Sequence, residues 1–231
     1  MLETSFPFIL LVSNAENRLA KGLDQQLSLR SMFGTSSNEE LELGPSGIIL
    51  VTGAARSGKS EWAEHLALQS GLAVTYVATA RSDPTDQEWQ QRIARHRQRR
   101  PSDWETVLAP FNLTEVIATS TSDRCLLIDS LGTWLANQVE ADEISWQLIA
   151  QELVSGLQTA EGLVVLVAEE VGWGVVPPYP IGRVFRDRLG DLIRQIGAMA
   201  DSAYLVTGGY ALNLTNLGYP LPAKRAAAEG T

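Results

Sequence analysis

Apolar residues in this chain fall into short unbroken runs, separated by stretches in which they recur at helical spacing. Gly47-Ile-Ile-Leu-Val-Thr52 is the first clear run, and Leu163-Val-Val-Leu-Val-Ala168 is uninterrupted. Such runs suit strands buried on both faces of a parallel sheet. Val74-Thr-Tyr-Val-Ala78 and Arg124-Cys-Leu-Leu-Ile-Asp129 read as two more strands, the second closing on a carboxylate. Helices are expected over residues 60–69, stopped by Gly71, over the polar stretch 86–99, and over 143–157. Phe185, Leu189, Leu192, Ile193, Ile196 and Met199 keep the spacing of one helical face. Residues 203–207, the pair Gly208-Gly209 and residues 210–214 read as strand, turn and returning strand. Strands alternating with helices predict a layered α/β fold: a mostly parallel central sheet flanked by helices, with a C-terminal antiparallel hairpin. In such sheets ligands lie at the carboxyl ends of the strands.

The ends of the chain break this pattern. Residues 1–46 read as an extension, with a short strand at 6–12, a short helix at 15–29 and a Ser-, Gly-, Asn- and Glu-rich linker. The main domain is expected over 47–217, and residues 218–231 read as a disordered tail. There are no internal repeats.

The first strand runs into Gly53-Ala-Ala-Arg-Ser-Gly-Lys-Ser60, a complete phosphate-binding loop in the strand–turn–helix context it requires. Gly53 and Gly58 let the backbone bend around an anion, so that consecutive N–H groups point inward. The N-terminus of the following helix adds a favourable partial charge. Lys59 is placed to reach the β- and γ-phosphates of a nucleoside triphosphate, and the Ser60 hydroxyl to ligate Mg2+. Asp129, at the end of its strand, suits the partner role on the same Mg2+. The alternative is a helix-capping Asp; beside a full phosphate loop the metal role is favoured.

Composition narrows the setting. The chain has 231 residues, 45% apolar and 19% charged, enough for one α/β domain with a substantial core. No apolar run approaches about 20 residues, so no membrane span is expected. The first residues lack a basic region and make a poor signal peptide. Cys125 is the only cysteine, in a strand that reads as buried, so no disulfide forms within the chain. A cytoplasmic location follows as the expectation. A net charge of −9 argues against broad nucleic-acid binding, so any anion site must be local.

Against that charge, Arg92-Ile-Ala-Arg-His-Arg-Gln-Arg-Arg-Pro101 stands out, five arginines around His96. One reading is a solvated helix face paired with acidic residues elsewhere. The other is a triphosphate site, in which guanidinium forks hold phosphate oxygens and neighbouring cations keep the imidazole neutral and nucleophilic. Composition leaves both open. His65, on the helix after the phosphate loop, reads as structural. Glu169-Glu170-Val-Gly-Trp-Gly174 follows the buried strand 163–168 and reads either as a catalytic loop with a lid or as an exposed turn.

Taken together, these segments resemble the bifunctional adenosylcobinamide kinase / adenosylcobinamide-phosphate guanylyltransferase family of cobalamin biosynthesis. The likeness runs from about Ile48 to Leu214. It is carried by Leu50–Ser60, Tyr76-Val-Ala-Thr-Ala80, the His96 segment with Trp104, Leu127-Ile-Asp-Ser-Leu131 with Trp134-Leu135 and Asn137, Glu170-Val-Gly-Trp-Gly-Val-Val-Pro177, Gly182-Arg183 and Phe185-Arg-Asp187. The phosphate loop is shared with many NTPases; the His-Arg and Glu-Val-Gly segments, in this order, are far more specific.

The resemblance implies a RecA-like P-loop NTPase fold and two reactions. ATP or GTP phosphorylates the aminopropanol hydroxyl of adenosylcobinamide. GMP then passes from GTP to that phosphate through a GMP-histidine intermediate, here on His96, giving adenosylcobinamide-GDP. The implied nucleotide contacts are Gly53, Ala54, Ala55, Arg56, Ser57, Gly58, Lys59 and Ser60; Ala78, Thr79 and Ala80; Arg97, Gln98, Arg99 and Arg100; and Asp129. A homotrimer with the active site near a subunit boundary is implied as well. Four positions depart from the family pattern. Ala54 replaces a second glycine, Leu108 a glutamate that contacts GTP, Glu169 an asparagine and Gly132 a threonine. Leu108 opens the reading of a kinase or NTPase that has lost guanylyltransfer. A non-catalytic nucleotide-binding regulatory module is the other alternative, although no Asn-Lys-x-Asp guanine-reading motif is present.

Overall fold

The computed structural model describes residues 43–81 and 100–222. The chain divides into two compact units, Met1–Leu41 and Glu42–Thr231, and all that follows belongs to the second. Its elements are β1 (Gly47–Gly53), α1 (Lys59–Gln69), β2 (Ala73–Ala78), β3 (Glu105–Leu108), α2 (Leu113–Ile117), β4 (Arg124–Asp129), α3 (Leu131–Ala136), α4 (Glu143–Gln158), β5 (Leu163–Glu169), α5 (Pro180–Gly197), β6 (Ser202–Thr207), β7 (Tyr210–Asn213) and α6 (Leu214–Leu217).

The strands form one seven-stranded sheet in the order β3-β2-β4-β5-β1-β6-β7. Every neighbouring pair is parallel except β6–β7, which is the expected C-terminal hairpin. Its turn rests on Gly208 (φ 58°) and Gly209 (φ 83°), left-handed positions that glycine adopts without a Cβ penalty. β4, β5 and β1 are central, which explains why their sequences are apolar without alternation. Val164, Leu166 and Ala168 face one layer, while Val165 and Val167 face the other, and all five are fully buried.

On one face lies the main core. Ile48, Leu50, Ile128, Val164 and Leu166 pack with Leu131 and Trp134 of α3, Trp146 and Leu153 of α4, and Leu189 and Ile196 of α5. α1 lies against β1, β4 and β5 through Ala63, Leu66 and Ala67, each buried completely. The chain therefore crosses from β1 to β2 through α1, returns through β4 and β5, and steps over β1 to β6. This is a three-layer α/β fold in which β1 sits at the reversal of strand order, where such sheets bind ligands.

Four short elements were not expected from the sequence: β3, α2, α3 and α6, the last beginning at Leu214, where the returning strand was expected to end. The expected helix over 86–99 lies outside the described residues, as do the elements expected within 1–42. The last long helix begins at Pro180, ahead of the periodic series that opens at Phe185. Pro at the first helical turn lacks an N–H that would be unsatisfied there in any case.

Candidate active site

The carboxyl ends of the central strands bring the candidate residues to one edge of the sheet. Gly53 ends β1 in register with Glu169 at the end of β5. Ala78 ends β2 in register with Asp129 of β4 on one side and Leu108 of β3 on the other. These strand ends and the phosphate loop thus form a contiguous rim.

Within the loop, Arg56 (φ 60°) and Gly58 (φ 94°) take left-handed backbone conformations. Gly53 is needed for a different reason from the expected bend. A Cβ there would stand 2.5 Å from both the Ser57 hydroxyl and the Val206 carbonyl oxygen. The constraint is space rather than φ. Ala54 is not among the residues with positive φ, so its methyl group is tolerated where a second glycine is usual. The loop closes with Ser57 N–H donating to Ala54 O at 3.2 Å. Lys59 Nζ donates to the same carbonyl at 3.3 Å, keeping the ammonium over the loop. α1 starts after Gly58 with no side chain capping its first N–H groups. Uncapped first-turn N–H groups and the helix dipole together favour an anion. The Ser57 hydroxyl is buried and finds no acceptor or donor, which leaves it available inside the loop.

Asp129 is half-buried and is not a helix cap. Ser130 performs that task, its hydroxyl accepting from Thr133 N–H at 3.3 Å. The Asp129 carboxylate instead accepts from the Tyr76 hydroxyl at 3.1 Å. Tyr76 is 6% exposed, and the Arg100 guanidinium lies over its ring, 3.4 Å from the centroid. Burial, and next the Asp129 charge, push the Tyr76 phenol far above its ordinary value, against the opposing pull of Arg100. The phenol therefore stays protonated and is the donor in this bond.

Thr79 is fully buried, and its hydroxyl is committed. It donates to Ser130 O at 2.8 Å and accepts from Ser130 N–H at 2.9 Å. Asn137, at the end of α3, donates to Thr79 O (2.8 Å) and to Pro110 O (2.9 Å). The segment after β2 is thereby locked to the turn after β4. Thr79 thus shapes the rim, and its side chain is not free to contact nucleotide.

The Glu169 carboxylate spans from β5 to the same turn. It accepts from Ser130 Oγ at 2.6 Å and from Gly132 N–H at 3.0 Å. A Cβ on Gly132 would overlap that carboxylate. Gly132 and Glu169 are therefore one feature: the absence of a side chain at 132 makes room for the acid. Glu170 is tied to the loop by its backbone, N–H to Gly53 O at 3.0 Å. Trp173, Val175 and Tyr179 beyond it are exposed. Leu108 is 61% exposed at the rim end of β3.

Of the expected site residues, Gly53–Ser60, Ala78, Thr79, Ala80, Arg100 and Asp129 are brought to this rim. His96, Arg97, Gln98 and Arg99 lie outside the described residues. His65 is exposed on α1 and stacks on Trp62, ring centroids 5.2 Å apart. Sequence reading gave no role to Tyr76, Ser130, Glu169 or Asn137 as fasteners of the rim. Glu169 stood out as a carboxylate after a buried strand and Tyr76 as a polar side chain inside an apolar one, but neither signal named its partner. Among the described residues no group of three His, Cys, Asp or Glu gathers for a metal. Ser60 at the end of the phosphate loop and Asp129 at the end of β4, with β5 between β4 and β1, offer a hydroxyl and a carboxylate on the same rim. Such a sparse set of hard oxygen donors fits Mg2+, which keeps water and phosphate oxygens as its other ligands.

Fold and rim together define a P-loop nucleotide-binding protein of the α/β class. Comparison with known proteins narrows this. The chain matches the family described as "Cobinamide kinase / cobinamide phosphate guanyltransferase" over residues 49–214. It is 40% identical over 167 residues to the bifunctional adenosylcobalamin biosynthesis protein CobP of Pseudomonas aeruginosa, covering 71% of this chain and 95% of that one. It is 36% identical over 182 residues to the bifunctional adenosylcobalamin biosynthesis protein CobU of Escherichia coli, covering 72% and 99%. A solved type III secretion system ATPase aligns with a TM-score of 0.48 at 10% identity, covering 75% of this chain and 58% of that one. The chain belongs to the cobinamide kinase / cobinamide phosphate guanyltransferase family.

Proposed function

We propose that this chain catalyses both reactions of its family: phosphorylation of adenosylcobinamide by ATP or GTP, then transfer of GMP from GTP to the resulting phosphate. The observation that carries the proposal is the phosphate loop itself. Its left-handed turn, its uncapped helix start and Lys59 converge at the rim that also carries Asp129.

In the kinase step the loop N–H groups and Lys59 hold the β- and γ-phosphates, so that the acceptor hydroxyl meets a fixed phosphorus atom. Ser60 and Asp129 would hold Mg2+, which would neutralise charge on the phosphate oxygens. In the second step an imidazole nitrogen of His96 attacks the α-phosphorus of GTP. A nitrogen–phosphorus bond forms as the bond to pyrophosphate breaks. An oxygen of the corrinoid phosphate then attacks the same phosphorus and releases His96. Arg97 and Arg100 hold phosphate oxygens during both displacements. The assembly is a homotrimer and the setting cytoplasmic. Among the described residues no helix is long and apolar enough to cross a membrane.

A second reading rests on Leu108, an exposed leucine at the rim that cannot accept a hydrogen bond from nucleotide. On that reading the chain keeps phosphorylation and has lost guanylyltransfer. Incubation with GTP labelled at the α-phosphate separates the two. A covalent, acid-labile label supports the bifunctional enzyme. Turnover of adenosylcobinamide without label supports the kinase alone, and binding with neither leaves a regulatory module.

A further inference from the structure

Tyr76 stands between the Asp129 carboxylate and the Arg100 guanidinium. A buried phenol requires a hydrogen-bond partner, and this one has a charged acceptor, Asp129, at 3.1 Å. One carboxylate oxygen is thereby fixed, which sets the rotation of the whole group and the direction of the other oxygen. The same ring provides the flat face on which Arg100 rests, 3.4 Å from its centroid. A cation on the ring also polarises the O–H toward the carboxylate. The two contacts use different parts of one side chain, which is anchored in the sheet by β3 and β4 on either side.

We propose that Tyr76 is a positioning residue shared by both reactions: its hydroxyl orients Asp129 and its ring seats Arg100 at the end of the His96 segment. This rests on the reading of Asp129 as the Mg2+-side carboxylate and of the His96 segment as the GMP carrier. Tyr76 need not touch substrate. One side chain thus ties Asp129 at the end of β4 to Arg100.

The test uses the full chain and four single variants: Y76F, which keeps the ring, Y76L, which removes ring and hydroxyl, D129N and R100Q. The doubles Y76F/D129N and Y76L/R100Q complete the comparison. ATP affinity is measured by calorimetry with and without Mg2+, and GMP mass gain after GTP addition is followed by intact-protein mass spectrometry. Y76F should weaken the Mg2+-dependent part of ATP affinity about 10-fold, the low end of the scale for one hydrogen bond to a charged group, with no further loss in the D129N background. Y76L should slow GMP gain about 3-fold beyond Y76F, and that extra loss should vanish in the R100Q background. Near-identical thermal unfolding of Y76F and the parent shows that the fold is intact. Additive losses in both backgrounds, or an unaltered Mg2+ dependence in Y76F, would overturn the proposal. If the parent protein gains no GMP, the guanylyl reading and the ring role fall together. The calorimetric comparison of Y76F with D129N then still decides the hydroxyl role.

Discussion

At the scale of single residues, the rim is built from close fits that leave little freedom. Gly132 is the clearest. Replacing it with alanine puts a methyl group into the space of the Glu169 carboxylate and breaks its bond to the Gly132 N–H. Overpacking of this kind costs about 1–3 kcal/mol. Urea unfolding of G132A should show that loss, and adding Glu169→Asn should recover most of it, because the shorter side chain vacates the site. Equal stability of G132A and the parent would remove the steric argument. Lys59→Ala should abolish kinase turnover while leaving the fold intact, since Lys59 is half-buried over the loop rather than in the core. Parent-level turnover in the folded variant would move the working site elsewhere. His96→Ala should eliminate the GMP adduct but not adenosylcobinamide phosphorylation, read as intact mass beside a kinase assay on one sample. Loss of both activities would give His96 a general binding role instead. The phosphate loop was legible in the sequence because its chemistry is local, eight consecutive residues with fixed spacing. Tyr76, Ser130 and Glu169 were not, because their partners lie 37 to 53 positions away and meet only through the β2–β4 and β4–β5 registers.

At the scale of elements, continuous apolar runs identified β1, β2, β4 and β5, since a central parallel strand is buried on both faces and needs no alternation. β3 escaped because it is a four-residue edge strand with Glu105, Thr106 and Leu108 exposed. α2 and α3 escaped because a helix of five or six residues shows too little periodicity to register, although Leu113, Ile117, Leu131 and Leu135 are fully buried. The energetic weight of this layer lies in the amphipathic helices. Ile196 on α5 is completely buried in the main core. Ile196→Ala should cost about 2–5 kcal/mol, the range for truncating a buried isoleucine, and should lower the urea midpoint without changing the slope. A shift below about 0.5 kcal/mol would mean that α5 is not anchored to the sheet as described.

At the scale of the whole molecule, the sheet encloses acids that titrate only when the chain unfolds, which gives folding a definite response to alkali. Cys125 in β4 is fully buried, and burial pushes its thiol from 9.0 up to about 12, with a hydrogen bond to Ser70 opposing. Burial pushes the Tyr76 and Tyr204 phenols above 10.0 as well. All three are neutral while protonated, so the folded state holds protons that the unfolded chain releases. The sign follows from linkage. Below pH 9 both states keep these protons, and their contribution to stability is complete. As pH rises from 9.0 toward 12 for Cys125, and from 10.0 upward for the phenols, the unfolded state binds fewer protons and stability falls. The chain already carries −9 at pH 7, so added negative charge acts in the same direction through self-repulsion. A single substitution separates the two effects. Cys125→Ala removes the thiol proton but leaves the charge of the remaining chain unaltered. Urea midpoints measured from pH 8 to 10.5 should therefore fall less steeply in C125A than in the parent between pH 9 and 10, and in parallel with it below pH 8.5. The same burial should keep native Cys125 unreactive toward iodoacetamide at pH 8 and make it reactive in urea. Superimposable pH profiles for parent and variant would assign the alkaline loss to general charge repulsion. Rapid alkylation of the native protein would show that β4 is not enclosed as the sheet order requires.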